Sequence, residues 1–146
     1  SATEAATSAQ FTAIAASTSQ QARVSGRVSW PGYYMSPNAV AWLDSSHTDQ
    51  VSVVAAGPVN QATGAYTITI DLQAPIEVFV EAWDDVDGDG SLSTGEGFGF
   101  FDANRDGSWN DMFTLSPGQV VNGADITLAP YYGQSVARDA VAARWK

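Results

Sequence analysis

The sequence has no cysteine, a single histidine (His47) and only six lysine or arginine residues. Without cysteine the chain has no disulfide framework, no thiolate metal site and no cysteine nucleophile. The sixteen aspartate and glutamate residues give a formal net charge of −10. This charge repels nucleic acid phosphates and anionic lipids, so neither nucleic acid nor a membrane surface is an expected partner.

Long apolar runs are also missing. No stretch approaches the roughly 20 apolar residues that a transmembrane helix needs, so we expect no membrane insertion. The chain begins with SATEAATSAQ, which lacks the basic and apolar parts of a signal peptide but is compatible with a mature end left after signal removal. His47 lies in a polar turn, DSSHTDQ, without the context of a catalytic triad, and we predict no enzymatic activity.

The composition changes twice along the chain. Residues 1–21 are rich in alanine, serine, threonine and glutamine, which predicts an extension outside the core; strand, helix and disorder all stay open for it. Residues 22–130 are predicted to form one domain, and 45% hydrophobic residues in the chain suffice for one core. Residues 131–146 have apolar side chains at helical spacing and three basic side chains against one acidic, which predicts a short basic C-terminal helix.

Within residues 22–130 the dominant pattern has a period of two, and its runs are separated by short turns rich in glycine, proline and asparagine. The predicted strands are RVSGRVSW, NAVAWLDS, QVSVVAAG, AYTITIDL, IEVFVEAW, GFGFF, MFTLS and ADITL. Strands that recur about every 8 to 12 residues without intervening helices are typical of an antiparallel β-sandwich. We therefore predict an all-β fold, an immunoglobulin-like or transthyretin-like sandwich.

Three segments of this domain carry a resemblance to a known family. They are SGRVSW as the first strand, GAYTITIDL followed by a short turn and IEVFVEAWDD, and the closing SPGQVVNGADITL. Together they resemble small bacterial surface sandwiches of the transthyretin-like or carboxypeptidase-regulatory-like type, whose members commonly insert a D-x-D-G-D-G-type loop after the strand corresponding to IEVFVEAW. The resemblance implies the fold; sandwiches of this kind host many unrelated roles.

The segment DVDGDGSLSTGE, residues 85–96, has the ligand spacing of a calcium loop. Calcium takes about 6 to 8 oxygen ligands, which a short loop supplies from alternate positions around a tight turn. The pattern D-x-[DN]-x-[DN]-G-x₅-E is met at every constrained position. The predicted ligands are Asp85, Asp87, Asp89, Ser91 through its carbonyl, Ser93 directly or through water, and Glu96. The alternative is an acidic turn without metal, in which these carboxylates would repel one another.

The loop resembles that of an EF-hand, but its flanks do not. The preceding IEVFVEAW alternates β-branched and aromatic residues, and the following GFGFF is too rich in glycine for a helix. An EF-hand sensor switches through the angle between its two helices. On a strand–loop–strand frame, calcium is instead expected to lock the loop.

A second loop, residues 102–113, begins six residues after Glu96. Its predicted ligands are Asp102, Asn104, Asp106, Ser108 and Asp111. Position twelve is Phe113, so the bidentate glutamate is missing and Asp111 is expected to replace it. This loop resembles dockerin-like and other non-helical calcium loops, and a hairpin without metal is the alternative. If the two loops form a paired site, Asp84 or Glu81 is a candidate shared ligand.

Two functions stay open. The metal loops, the absent cysteines and the two extensions predict a secreted, calcium-stabilised structural protein at the cell surface. It would be a homo-oligomer or polymer, such as a filament, tube or layer, built by adding the N-terminal strand to a neighbour's sheet. The alternative is a carbohydrate-binding or adhesion module with structural calcium, which would stack aromatic rings on a polysaccharide. The aromatic candidates are Trp30, Tyr33, Tyr34, Trp83, Trp109, Tyr131 and Tyr132, although such residues also fill cores.

Overall fold

The computed structural model describes residues 18–45, 52–106 and 111–132. Within these ranges the chain is all-β, with ten strands in two sheets and no helix. The strands are β1 (Gln20–Ser29), β2 (Ala39–Asp44), β3 (Val53–Pro58), β4 (Ala65–Leu72), β5 (Ile76–Asp84), β6 (Gly97–Phe100), β7 (Phe113–Leu115), β8 (Val120–Val121), β9 (Ile126–Thr127) and β10 (Ala129–Pro130). All eight predicted strands are present, and β8 and β10 are additional.

Two predictions concern the ends of the chain. Strand β1 begins at Gln20, two residues before the predicted start of the domain at position 22. The predicted C-terminal helix lies outside the described residues, which end at Tyr132. Among the described ranges, no helix is long and apolar enough to span a membrane.

The first sheet has β1 at its centre. On one side β1 pairs antiparallel with β4, from Gln20 opposite Leu72 to Arg27 opposite Ala65. On the other side it pairs with β8 and then with β9, and both pairings are parallel. The predicted antiparallel pairing is present between β1 and β4 but not between β1 and β8 or β9, so this sheet is mixed.

The short parallel strands are separated by a close backbone approach at Gly26. A Cβ atom on Gly26 would lie 2.1 Å from the carbonyl oxygen of Ala124, so only glycine fits there. In the gap between β8 and β9, the backbone N–H of Arg27 donates to Asp125 Oδ1 at 2.9 Å. The N–H of Ala124 also donates to the carbonyl of Ser25 at 3.0 Å, so one backbone bond and one side-chain bond connect the closing segment to β1 between the two short strands.

The second sheet has the order β10-β6-β5-β2-β3, and β7 pairs with the start of β5. All of its pairings are antiparallel, as predicted. Strand β5 is buried from Val78 to Asp84 on both of its faces. The inward face joins the main core between the sheets, and the outward face carries a second apolar cluster of Trp42, Trp83, Leu92 and Phe98.

Tyr66 on β4 links the two sides of the first sheet. Its hydroxyl donates a hydrogen bond to the carbonyl oxygen of Ala124, and its ring is buried in the main core. Burial, followed by the charge of Asp125, raises the pKa of this phenol far above its ordinary value. The side chain therefore acts as a neutral donor that holds the segment between β8 and β9.

Candidate metal centre

The loop 85–96 connects two neighbouring strands of the second sheet. Strand β5 ends at Asp84 and β6 begins at Gly97, and these two residues lie opposite each other in the antiparallel ladder. The loop is therefore an extended hairpin connection at the end of the sandwich. The sheet itself holds the two ends of the loop together.

Three carboxylates of this loop converge. Asp85, Asp87 and Asp89 each offer an oxygen, and these oxygens all lie within 4.8 Å of one another. The backbone turn that brings them together needs Gly90, whose φ is +77°. The N–H of Gly90 donates to Asp85 Oδ2 at 2.8 Å, and that of Ser91 donates to Asp89 Oδ1 at 2.8 Å. One oxygen of each of these two carboxylates thus shapes the loop.

Within the loop 85–96, two other carboxylate oxygens are buried and lack a hydrogen-bond partner among the described residues: Asp85 Oδ1 and Glu96 Oε2. Asp85 is 8% exposed and Glu96 is 4% exposed. Leaving an ionised oxygen buried without a donor is costly, so such a group is expected to bind a proton or a cation. These two residues stand at the first and twelfth positions of the loop.

Burial raises the pKa of the Glu96 carboxyl, and the neighbouring charges of Asp87 and Asp85 raise it further. The backbone N–H of Ser93, which donates to Glu96 Oε1 at 2.7 Å, acts in the opposite direction, as does the nearby side chain of Trp83. Since the raising effects prevail, ionising Glu96 costs more than ionising a free glutamate, and a nearby positive charge would lower this cost.

The predicted serine ligands take part in the same turn. The carbonyl oxygen of Ser91 accepts a long hydrogen bond of 3.4 Å from Ser93 Oγ. The N–H of Glu96 donates to the carbonyl of Ser93 at 3.1 Å. Ser91 and Ser93 thus form part of the turn between the converging aspartates and Glu96.

Sequence reasoning missed the contacts that hold the loop on the sheet. Leu92 is buried in the outward cluster with Trp42, Trp83 and Phe98. Asn38, 47 residues away in sequence, donates from Nδ2 to the carbonyl oxygen of Asp85 at 3.0 Å. The loop contains two apolar residues, of which Leu92 is buried and Val86 exposed, so the sequence provided an ambiguous signal for the first contact and none for the second.

The end of the loop is paired to the closing segment of the chain. The N–H of Gly95 donates to the carbonyl of Tyr131 at 2.7 Å, and the N–H of Tyr131 donates to the carbonyl of Glu96 at 2.8 Å. Strand β10 then continues this pairing along β6. The backbone at Glu96 is therefore fixed between two strands, which positions its carboxylate.

The candidate shared ligand Asp84 has another role. Both of its carboxylate oxygens accept hydrogen bonds from Ser36, one from the backbone N–H at 2.7 Å and one from the hydroxyl. Asp84 therefore ties the chain before β2 to the end of β5. Glu81 is buried on the outward face of β5, opposite Trp42 and Phe100 in the ladders.

The second loop also brings three carboxylates together. Asp102, Asp106 and Asp111 each offer an oxygen within 4.8 Å of the others, and the N–H of Asn104 donates to Asp111 Oδ2 at 3.2 Å. Asp111 thus reaches the cluster from outside the D-x-N-x-D run. Among its described residues, this loop has no buried carboxylate oxygen without a hydrogen-bond partner. Ser108 lies outside the described residues, and a second ion here stays a prediction.

Oxygen donors alone make up the described parts of both clusters. Such a set suits a hard cation: zinc prefers histidine and cysteine, and magnesium keeps most of its waters and binds through one or two carboxylates. In the loop 85–96 the group that could hold such a cation consists of Asp85, Asp87 and Asp89, and Glu96 is not a member of it.

Comparison with protein-family models, with curated proteins and with solved structures finds no match. The two sheets of the chain are consistent with a β-sandwich, and its resemblance to the transthyretin-like or carboxypeptidase-regulatory-like group stays a prediction.

Proposed function

We propose that this chain binds calcium at the loop 85–96 and that the ion rigidifies one end of a β-sandwich in an extracellular structural protein. The observation that carries this proposal is the pair of buried, unpartnered oxygens, Asp85 Oδ1 and Glu96 Oε2, at the two ends of a loop whose three aspartates converge. A cation between them would satisfy both oxygens and offset the repulsion among the carboxylates.

The strand–loop–strand frame favours a clamp over a sensor. In an EF-hand sensor, calcium changes the angle between two helices. Here both ends of the loop are fixed in one antiparallel ladder by Asp84 and Gly97, so its ends have no comparable freedom. Extracellular calcium modules typically bind with a Kd of ~10⁻⁴ to 10⁻³ M, which suits the calcium concentration outside cells.

Calorimetric titration of the chelator-treated chain with calcium tests the proposal. We expect saturable binding with a Kd of ~10⁻⁴ to 10⁻³ M and weaker binding of magnesium. Glu96→Gln should weaken calcium binding by at least about tenfold, equivalent to ~1.4 kcal/mol. Asp71→Asn is the matched control, since it removes an exposed carboxylate from β4 in the other sheet and should leave binding unchanged.

A chain that binds no calcium up to about 10 mM, well above the range of extracellular modules, would contradict this function. Equal binding by wild type and Glu96→Gln would also contradict it, because the unpartnered oxygen of Glu96 would then have no part in the site.

The wider role, a building block of a filament, tube or layer, is part of this proposal and depends on the segments 1–21 and 131–146. The acidic body and the basic side chains of residues 131–146 support contacts between copies. Electron microscopy in millimolar calcium and in chelator tests this role: we expect polymers that shorten or dissolve in chelator. A chain that stays monomeric in calcium would rule out assembly while leaving the calcium clamp intact.

A further inference from the structure

Exposed aromatic residues gather beside the loop 85–96. Among the described residues, four of the seven exposed large apolar side chains lie in this region: Tyr33, Tyr34, Val86 and Tyr132. Tyr34 is 99% exposed, so the described part of the fold gives its ring no packing role. A concentrated exposed apolar patch of this kind marks a binding surface more often than scattered apolar residues do.

The patch has a rigid base. The ring of Tyr33 stacks on Trp30, with ring centroids 4.7 Å apart and an interplanar angle of 19°. Trp30 packs in turn against Gly97, where a Cβ atom would come within 2.9 Å of the indole. Tyr132 shares a side-chain hydrogen bond with Tyr33. We call Tyr33, Tyr34 and Tyr132, with Trp30 stacked on Tyr33, the aromatic platform.

A cavity of about 380 Å³ separates the platform from the loop. One wall is formed by Trp30, Tyr33 and Tyr34, and the other by residues 86–87 and 93–96. The accessible polar groups of the second wall are the carboxylate of Asp87 and the hydroxyls of Ser93 and Thr94. The cavity thus combines an apolar aromatic wall with a wall made mostly of hydrogen-bond acceptors.

We propose that this cavity binds a neutral polysaccharide by stacking the flat face of a pyranose ring on the aromatic platform. A pyranose with equatorial substituents has an apolar C–H face, which matches the tyrosine rings, and a rim of hydroxyl donors, which matches the carboxylate and hydroxyl oxygens. This inference rests on the proposed calcium site in one respect, because the loop that calcium would fix supplies the second wall.

Charge and shape argue against other ligands. The net charge of −10 and the absence of lysine, arginine and histidine from the described lining disfavour an anionic ligand. An organic cation prefers a cage of aromatic faces. Trp30 stacks on Tyr33 and lies against Gly97, and Tyr33, Tyr34 and Tyr132 are exposed, so the rings form an open platform instead. A proline-rich peptide also docks on aromatic grooves, but it has few N–H donors for the acidic wall.

Affinity electrophoresis through gels containing soluble neutral polysaccharides, together with pull-down on insoluble cellulose and chitin, tests this inference. The experiment uses the full chain in millimolar calcium. We expect retention by at least one neutral polysaccharide and an approximately tenfold loss of affinity in Tyr34→Ala, as for the loss of one stacking contact. Val120→Ala, which truncates an exposed apolar residue on β8, is the matched control and should bind as wild type does.

The outcomes separate this inference from the calcium proposal. Tyr34→Ala should keep its melting midpoint and its calcium affinity, since its ring is almost fully exposed. Retention that falls in chelator and in Glu96→Gln supports the shared wall. No retention on any neutral polysaccharide, equal retention of Tyr34→Ala, or binding of a proline-rich peptide in its place would overturn the inference. If the chain binds calcium but no polysaccharide, only the polysaccharide inference is overturned. If it binds a polysaccharide but no calcium, only the calcium clamp is overturned.

Discussion

In calcium at a hundred times the Kd, Asp85→Asn and Glu96→Gln should each lower the thermal unfolding midpoint by on the order of 10 °C relative to wild type. The reason is linkage: an ion that binds only the folded state at this excess stabilises it by about 2.7 kcal/mol. Each variant removes a carboxylate oxygen that is buried and unpartnered in the described fold. A tenfold weaker affinity loses about 1.3 kcal/mol of this stabilisation, and a site that no longer binds calcium loses all of it. Differential scanning calorimetry or far-ultraviolet circular dichroism measures the shift.

In excess chelator, the unfolding midpoint of Glu96→Gln should lie above that of wild type, the reverse of the order expected in calcium. The pKa of Glu96 is raised, first by burial and then by the charges of Asp87 and Asp85. A carboxyl whose pKa is raised on folding destabilises the native state as the pH rises above its unfolded value. Without calcium, Glu96→Gln should therefore melt above wild type at neutral pH, and the difference should shrink as the pH falls towards the unfolded pKa of glutamate.

The exposed acid Asp71 provides the comparison for both conditions. Calcium should raise the unfolding midpoint of Asp71→Asn as much as that of wild type, because Asp71 lies on β4 in the first sheet. If chelator leaves the midpoint of wild type unchanged, or if all three variants respond equally to calcium, the buried oxygens of the loop do not form the site.

The strands were predictable because most of them have one buried and one exposed face. In β4, Tyr66, Ile68 and Leu72 are buried while their neighbours are more exposed, which is the period of two that the sequence displays. Strands β8 and β10 have two residues each, too few to display a period. Their positions depend on long-range contacts, such as the approach of Ala124 to Gly26, that no local pattern encodes.

The candidate site likewise has features that the sequence predicts and features that it does not. Ligand spacing is local, so alternate aspartates and Gly90 were enough to predict that Asp85, Asp87 and Asp89 converge. The contacts that fix the loop join residues distant in sequence, including Asn38 with Asp85. The gathering of Tyr33 and Tyr132 at the loop likewise results from folding, since they are separated by nearly the whole domain.

Leu92 is the residue through which we expect the loop and the fold to be coupled. It lies between the converging aspartates and Glu96, yet its side chain is buried with Trp42, Trp83 and Phe98 on the outward face of the second sheet. Trp42 and Phe98 are themselves in ring contact, with centroids 6.3 Å apart. Truncating the Leu92 side chain would leave a void beside two large aromatic rings and remove the contact that holds the middle of the loop on the sheet.

Leu92→Ala should therefore lower the free energy of unfolding by about 2–5 kcal/mol in chelator, the range for truncating a buried leucine. It should also weaken calcium binding although no ligand is changed, because a loop that is only fractionally in its binding conformation binds with a proportionally lower apparent affinity. Urea unfolding and calcium calorimetry measure the two effects. Val86→Ala, an exposed truncation in the same loop, should leave stability within about 0.5 kcal/mol of wild type. If Leu92→Ala destabilises the chain but binds calcium with unchanged affinity, the outward cluster supports the fold without organising the site.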